Sequence, residues 1–262
     1  MSIGLQSELG RAGLANTCVG GNVPDYMANR GNNEGGSIFD PVLCELMYSW
    51  FCPCGGSVLD PFAGGSVRGV VANFLGYDYT GVELRKEQVV ANIEQAHKIV
   101  SDALPNWIEG DSFFAKHLLG ESTYDFVFSC PPYYNLEVYS KERGELSNFP
   151  TYSQFLTRYH SIINDCISLL KLNRFACFVV GNIRDKNGFY YPFVSDTVKA
   201  FTDAGAGLYN EAILATAIGS LPIRTSASFP SGRKLGKSHQ NILVFYKGDP
   251  KKIKANFTEI RE

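Results

Sequence analysis

The stretch Ser57–Val58–Leu59–Asp60–Pro61–Phe62–Ala63–Gly64–Gly65–Ser66 is a short apolar run that leads directly into a turn of small residues. Together with the residues that follow, it predicts a strand, a tight turn and a helix that reaches Leu75. Glycines let the chain turn sharply and let a ligand approach the backbone closely. The amino end of the helix presents free N–H groups and the positive end of the helix dipole, which favour an anionic group.

A second strand that ends in a turn is predicted further along the chain, in Val127–Phe128–Ser129–Cys130–Pro131–Pro132–Tyr133–Tyr134. The apolar residues from Tyr124 to Phe128 predict the strand, and the two prolines end it because proline has no N–H for the ladder and a fixed φ. Taken alone, this run is more simply a rigid loop after a core strand. A stiff turn with an aromatic face also suits a flat, hydrogen-bonding substrate such as a nucleobase.

Together the two stretches resemble the hallmarks of the S-adenosylmethionine-dependent amino-methyltransferases of DNA, which are a DPFxGxG turn followed by a D/N/S-P-P-Y/F/W turn. The resemblance covers roughly residues 37–248, between an irregular segment at 1–36 and a tail at 249–262. It implies S-adenosylmethionine as the cofactor and methyl transfer to N6 of adenine or N4 of cytosine in DNA. The sequence departs from the pattern at Ser66, where the family has glycine, and at Cys130.

The resemblance and the alternation of strands with helices predict an α/β fold with a doubly wound, mostly parallel seven-stranded sheet and an antiparallel last strand. This is the Rossmann-like methyltransferase fold. No helix is expected between the last two strands, where Gly219–Ser238 is dense in Gly, Ser, Arg and Lys. If the first and fourth strands are neighbours where the strand order reverses, both turns face one crevice. The predicted strands are Ser57–Asp60, Tyr79–Glu83, Trp107–Glu109, Tyr124–Ser129, Arg174–Gly181, Leu208–Ile218 and His239–Lys247.

The resemblance assigns the cofactor to the first half of the chain. Glu83, at the end of the second strand, suits ribose hydroxyls, although it is alternatively a charge at the start of the next helix. Asp111 suits the adenine amino group of the cofactor and equally suits a helix N-cap. The predicted cofactor-binding residues are Phe39, Asp40, Asp60, Pro61, Phe62, Ala63, Gly64, Gly65, Glu83, Leu84, Asp111 and Ser112.

The resemblance assigns catalysis to Cys130, Pro131, Pro132 and Tyr133. An exocyclic amino group is a poor nucleophile, and hydrogen-bond acceptors such as the Pro131 carbonyl would turn its lone pair toward the methyl group, with Tyr133 stacked on the base. The thiol of Cys130 is only a weak acceptor. This departure leaves adenine or cytosine open and also allows a non-catalytic nucleic-acid-binding subunit. An RNA base methyltransferase is a further alternative, because some of these enzymes have a similar glycine turn followed by a PP-aromatic turn. The position of Cys130 before a proline is unlike that of a carbon-5 cytosine methyltransferase.

Basic residues concentrate near the end of the chain. The formal net charge is −2, but residues 213–254 contain eight Lys and Arg against one acid, Asp249. This run is either an ordinary solvated face or a phosphate-contacting surface. We expect the loops at 135–150 and 219–238 to read DNA, with a short recognition sequence or with specificity from a protein partner or a second copy of the chain. The predicted nucleic-acid-binding residues are Tyr134, Arg224, Arg233, Lys234 and Lys237.

Composition is consistent with one large α/β domain. The chain has 262 residues, of which 45% are hydrophobic and 19% charged. Its seven cysteines are spread along the chain and form neither a disulfide framework nor a zinc pattern, so no metal site is predicted. No apolar run is long enough to span a membrane, so no membrane partner and a cytoplasmic location are expected.

Overall fold

A computed structural model describes residues 39–100, 103–134, 140, 142, 144–215, 218–219 and 221–257. The predicted irregular segment at residues 1–36 lies outside the described residues. Within them, no helix is both long and apolar enough to cross a membrane.

Strands and helices alternate along most of the chain. The strands are β1 (Ser57–Asp60), β2 (Asp78–Glu83), β3 (Asn106–Glu109), β4 (Tyr124–Ser129), β5 (Leu170–Val180), β6 (Ile183–Arg184), β7 (Tyr190–Tyr191), β8 (Gly207–Ala215) and β9 (His239–Lys247). The helices are α1 (Pro41–Phe51), α2 (Val67–Phe74), α3 (Lys86–Ile99), α4 (Ala115–Leu119), α5 (Tyr152–Leu169), α6 (Phe193–Asp203), α7 (Leu221–Gly232) and α8 (Ile253–Asn256).

Seven of these strands form one sheet in the order β3-β2-β1-β4-β5-β9-β8. The pairs β3–β2, β2–β1, β1–β4 and β4–β5 are parallel, while β9 is antiparallel to both of its neighbours. The predicted sheet with its antiparallel last strand is therefore confirmed. The strand order reverses between β1 and β4, so these strands are the neighbours that a shared crevice requires.

Two hydrophobic cores lie on opposite faces of this sheet. One contains the buried face of α5, with Phe155, Tyr159 and Ile163, together with residues of α6. The other contains buried residues of α1 and α2. Every residue of β4 is buried, as expected for a strand covered on both faces. The sheet edge that carries the two turns is thus held rigidly from both sides.

The structure differs from the sequence prediction in the last third of the chain. Residues 221–232, predicted as a loop between two strands, form the helix α7, and none of its residues is buried. Without an apolar face against the core, its sequence lacks the periodicity that indicates a helix. After β5, the strands β6 and β7 form a two-stranded antiparallel ribbon, which the sequence analysis did not predict. The predicted tail contains α8, followed by Phe257, whose ring lies 5.2 Å from that of Phe175.

Candidate active site

The two turns meet at one edge of the sheet because β1 and β4 are parallel neighbours. A hydrogen bond joins them directly. The hydroxyl of Ser129, at the end of β4, donates to Asp60 Oδ1 at the end of β1 over 2.6 Å. Although 69 positions separate the two residues, the fold therefore couples the first turn to the second.

Asp60 fixes the conformation of the first turn through hydrogen bonds. Its carboxylate is fully buried and accepts hydrogen bonds from the Phe62 N–H, the Tyr79 hydroxyl and the Arg68 guanidinium in addition to Ser129. The two Asp60 oxygens thus receive four donors from within the protein and fix the shape of the turn. A contact between Asp60 and a cofactor stays a prediction.

Arg68, in the first turn of α2, is the main partner of Asp60 and was not predicted from the sequence. Its Nε lies 2.6 Å from Asp60, and its terminal nitrogen donates to the carbonyls of Phe62 and Ala63. Burial alone would lower the pKa of Arg68, but the Asp60 carboxylate more than offsets this effect, so the pKa lies above its usual value. The guanidinium also lies 4.7 Å from the ring centroid of Phe39, which places that predicted residue beside the turn.

Glu83, at the end of β2, lies against the glycine turn, while its contact with a ribose stays a prediction. One of its oxygens accepts from the Gly64 N–H and the other from the Arg85 N–H, each over 3.0 Å. Gly64 has a φ of +53°, a conformation that favours glycine. Ser66 has a φ of −69°, so this position does not require the glycine of the family pattern.

The end of β3 is tied to the same turn. The hydroxyl of Ser112 donates to the Pro61 carbonyl, which fixes the segment that carries Asp111. Asp111 caps the short helical turn Ser112–Phe114 by accepting from the Phe113 N–H over 2.9 Å, and its other oxygen pairs with Arg158. The N-cap interpretation of Asp111 is thus observed, whereas its contact with an adenine stays a prediction.

The remaining predicted cofactor residues lie around this turn with different exposures. Pro61 and Ala63 are buried, and Phe62, Gly64, Gly65 and Leu84 are half-buried. Asp40 is exposed and caps α1, accepting from the N–H groups of Val42 and Leu43. The glycine turn is therefore surrounded by residues from the ends of β1, β2 and β3.

The second turn is anchored through Tyr133. The Tyr133 hydroxyl donates to the Val179 carbonyl over 3.3 Å and accepts from Gln240 Nε2 over 2.7 Å. The half-buried thiol of Cys130 lies 3.9 Å from the same hydroxyl. Burial raises the pKa of Tyr133 well above its usual value, so this tyrosine is neutral at physiological pH.

Tyr134 does not lie where the sequence predicted it. Its ring is 5% exposed and packs against Tyr152, Phe155 and Tyr191, and its hydroxyl donates to the Pro150 carbonyl. Its φ of +41° is unusual for a residue other than glycine. The two prolines end β4 so abruptly that the chain reverses and Tyr134 enters the core. Tyr134 therefore supports the turn and does not face a nucleic acid.

A cavity of about 370 Å³ lies beyond Tyr133, at the carboxyl end of β5. Its walls come from the β6–β7 ribbon, from one side of α7 and from residues 235–240. The cavity-facing side of α7 is made by residues spaced as on one helical face, namely Leu221, Arg224, Thr225 and Ser228. We call this space the basic cavity because its described lining contains Arg184, Arg224, Lys237 and His239 but no Asp or Glu.

The sequence predicted some of this lining. Arg224 and Lys237 line the basic cavity, and burial lowers the pKa of Lys237. Their contact with a nucleic acid stays a prediction. Arg233 and Lys234 lie outside its lining; the Arg233 guanidinium is 5.3 Å from the Phe229 ring centroid, and Lys234 reaches toward Gly188. The lining also contains residues that were not predicted, namely Asn182, Arg184, Tyr190, His239 and Gln240. Asn182 has a signal that was overlooked, since it is the second residue after the carboxyl end of the buried strand β5.

Comparison with known proteins identifies the fold. No family model and no curated protein sequence matches the chain. Among solved structures, it resembles TrmN from Thermus thermophilus (TM-score 0.53, 13% identity, 80% of this chain) and a methyltransferase from Pyrococcus furiosus (TM-score 0.51, 14% identity, 84% of this chain and 88% of that one). This chain spans 49% of the length of the TrmN chain.

A third similar structure was solved with a ligand. It is the magnesium protoporphyrin IX methyltransferase ChlM from Synechocystis PCC 6803 with bound S-adenosylmethionine (TM-score 0.50, 14% identity), and the match covers 85% of this chain and 94% of that one. At such low identities these similarities establish the fold alone. The fold of this protein is the Rossmann-like methyltransferase fold, as the sequence predicted.

Proposed function

We propose that this protein transfers a methyl group from S-adenosylmethionine to the exocyclic amino group of adenine (N6) or cytosine (N4) in DNA. The observation that carries the proposal is the pairing of β1 with β4, which brings the DPFAGGS turn and the CPPY turn to one edge of the sheet. The basic cavity lies directly beyond Tyr133. A methyl donor at the first turn and an acceptor base at the second would then lie side by side.

The residues around the glycine turn fit S-adenosylmethionine. The backbone of Gly64 and Gly65 carries no side chains, and the Ser66 side chain makes no capping hydrogen bond to the first N–H groups of α2, which suit a carboxylate. The Glu83 carboxylate lies at the same turn, where ribose hydroxyls are natural donors to it. Asp111 and Ser112 lie at the neighbouring strand end, on the side where an adenine would follow.

The CPPY turn fits the acceptor base. Bound S-adenosylmethionine supplies an electrophilic methyl group. The protein has to orient the amino group, because the nitrogen lone pair is delocalised into the ring and is not directed toward the methyl carbon. The Pro131 carbonyl would accept one N–H of the amino group, and the Tyr133 ring would support the base. Placing the two reactants in line contributes several kcal/mol to such a reaction.

The basic cavity favours a nucleic acid as the source of the base. Arg184, Arg224 and Lys237 supply positive charge without an opposing carboxylate among the described lining residues. Its volume of about 370 Å³ suits a single nucleotide. A base in a duplex would therefore have to leave the stack to reach Tyr133. DNA is the proposed substrate because the order and pairing of the two turns resemble the DNA amino-methyltransferases.

A methylation assay with labelled S-adenosylmethionine tests the proposal. Duplex DNA, single-stranded DNA and bulk RNA are offered in parallel, and the products are digested to nucleosides and identified by mass spectrometry. Label in N6-methyladenine or N4-methylcytosine of DNA supports the proposal and decides which base is used. Label in RNA alone would identify an RNA base methyltransferase instead. Cofactor binding by calorimetry without methylation of any substrate would indicate a non-catalytic subunit.

The calorimetry also needs two variants, one that removes a cofactor contact and a control that shows the effect of a substitution far from the site. Glu83→Gln keeps the size of the side chain and removes its charge, so it should weaken S-adenosylmethionine binding roughly tenfold or more. Asp203→Asn, which breaks only the exposed ion pair with Lys199 on α6, should leave binding unchanged. Equal affinities for the wild type and Glu83→Gln would contradict the ribose assignment.

A further inference from the structure

Cys130 leaves the CPPY turn without the polar side chain that begins the family motif, and the basic cavity contains a group that can replace it. Gln240, near the start of β9, lines the cavity. Its Nε2 lies 2.7 Å from the Tyr133 hydroxyl, which is 3.9 Å from the Cys130 thiol. The Tyr133 hydroxyl thus lies between the Gln240 amide and Cys130, the position at which the family motif has a polar side chain.

The hydrogen bonds around Tyr133 fix the direction in which the Gln240 amide faces. The Val179 carbonyl can only accept, so the single hydroxyl proton of Tyr133 is directed to it. The Tyr133 oxygen must then accept from Gln240, because the reverse orientation would place two oxygens together without a proton. The amide nitrogen therefore faces Tyr133, and the carbonyl oxygen Oε1 faces away from it.

The neighbouring polar side chains are already engaged. The Ser129 hydroxyl is fully buried and donates to Asp60. Asn182 also lines the cavity, but its carbonyl oxygen accepts from the Val194 N–H over 2.9 Å. Of these side chains, Gln240 has both an amide of fixed orientation and a carbonyl oxygen, Oε1, that faces away from Tyr133.

We propose that Gln240 supplies the side-chain acceptor for the substrate amino group that Cys130 cannot supply, an inference that rests on the proposed function. The Pro131 carbonyl would accept one N–H and Gln240 Oε1 the other. The nitrogen lone pair forms the new N–C bond as the C–S bond breaks and its electrons pass to sulfur. The surplus proton on nitrogen leaves to solvent, because an amide carbonyl accepts a hydrogen bond without taking the proton.

Three variants test this role. Gln240→Met keeps the length of the side chain and removes its acceptor. Tyr133→Phe keeps the ring and removes only the hydroxyl that orients Gln240. Cys130→Asn, introduced into the Gln240→Met protein, returns a polar side chain to the first position of the motif. The measurements are kcat and KM on the base that the wild type methylates, and the affinity for the same oligonucleotide with that base lacking its amino group.

The expected result is a fall in kcat of roughly tenfold to hundredfold for Gln240→Met with KM little changed. This variant should also bind the base with and without the amino group equally well, whereas the wild type should prefer the amino form. Cys130→Asn should restore part of the lost kcat. A smaller fall is expected for Tyr133→Phe, because Gln240 keeps its acceptor and loses only its orientation.

Two results would overturn the role of Gln240 and leave the proposed function intact. One is a Gln240→Met protein with the kcat of an active wild type. The other is an equal loss in Gln240→Met and Tyr133→Phe without rescue by Cys130→Asn, which would reduce Gln240 to a support for Tyr133. A wild-type protein that binds S-adenosylmethionine but methylates no base would instead overturn the proposed function, and with it the role of Gln240.

Discussion

The glycine turn and the basic cavity lie side by side at the carboxyl edge of the sheet, yet they are built in different ways. The turn is fixed by buried polar groups, with Asp60 and Arg68 at the centre and Glu83 and Ser112 at the sides. The cavity is lined by residues from the end of β5, the β6–β7 ribbon, α7 and the start of β9. One wall of the cavity, α7, has no buried residue.

Because of this difference, we expect the turn to determine the stability of the domain and the cavity to determine which ligand binds. A substitution at the buried network of the turn should affect the whole domain, since a charged group that loses its partner inside the protein is costly. A substitution at the cavity lining should affect ligands and leave the fold intact. Substitutions in the turn, in the cavity and far from both test that separation.

Asp60→Ala should destabilise the protein by about 3–5 kcal/mol, because it leaves the Arg68 guanidinium buried without its carboxylate. Urea unfolding, followed by circular dichroism, measures the change. Asp40→Ala removes an exposed helix cap and serves as a control, with an expected loss of about 1 kcal/mol. A similar loss in both variants would show that the Asp60 network does not hold the domain together.

Tyr133→Ala should lower turnover roughly tenfold to hundredfold, because stacking on an aromatic ring contributes about 1–3 kcal/mol per base. S-adenosylmethionine affinity should be unchanged, since this ring belongs to the acceptor side. Single-turnover kinetics together with calorimetry distinguishes the two effects. An unaltered methylation rate in a folded Tyr133→Ala protein would rule out stacking by this ring.

The basic residues divide into two matched pairs. Arg224 and Lys237 line the cavity, whereas Arg233 and Lys234 lie outside its lining. Replacing the first pair with glutamine should weaken DNA binding and reduce the slope of log K against log salt by roughly 0.9 for each phosphate contact that is lost. Replacing the second pair should have a smaller effect. Gel-shift titrations at several salt concentrations compare the pairs, and equal effects would argue against the cavity as the DNA site.

The smallest effect is expected for Asp125, which lies at the amino end of β4, on the side of the sheet opposite the two turns. Burial alone would raise the pKa of Asp125, but hydrogen bonds from Lys171 and Arg174 outweigh it and hold the pKa at about 2. Because the folded pKa is depressed, the ionised carboxylate contributes stability that is complete above about pH 4 and is lost as the pH falls through about 2.

Asp125→Asn should therefore be slightly less stable than the wild type at pH 7, and the two proteins should converge between pH 4 and pH 2. Urea midpoints over this range measure the difference, and S-adenosylmethionine binding at pH 7 is expected to remain the same. A gap that is constant from pH 7 to pH 2 would contradict the assigned ion pairs.

The sequence was sufficient for the parts of the molecule that depend on local pattern. The seven strands follow from short apolar runs, and both turns from the glycines or prolines directly after two of those runs. The pairing of β1 with β4 follows from the fold class. Arg68 was missed because a buried arginine has no signature beyond its position in an apolar helix. Tyr134 was misplaced because the backbone conformation after the two prolines decides which tyrosine lines the cavity and which is buried.

The basic cavity was harder to predict for a physical reason. Gln240 lies 107 positions from the tyrosine to which it bonds, and no local pattern connects such residues. The helix α7 packs none of its residues into the core, so its sequence carries no apolar stripe. Residues that line a ligand site are selected for contacts outside the protein, and secondary-structure patterns do not reflect those contacts.

The position of β9 has a consequence for synthesis of the protein on the ribosome. Among the described strands of the sheet, β9 is the last to be made, yet it lies inside the sheet between β5 and β8. Until it emerges, β8 has no partner in the sheet and β5 presents an open edge. The nascent chain thus carries two unpaired strand edges until β9 has left the ribosome, and such exposed edges favour aggregation.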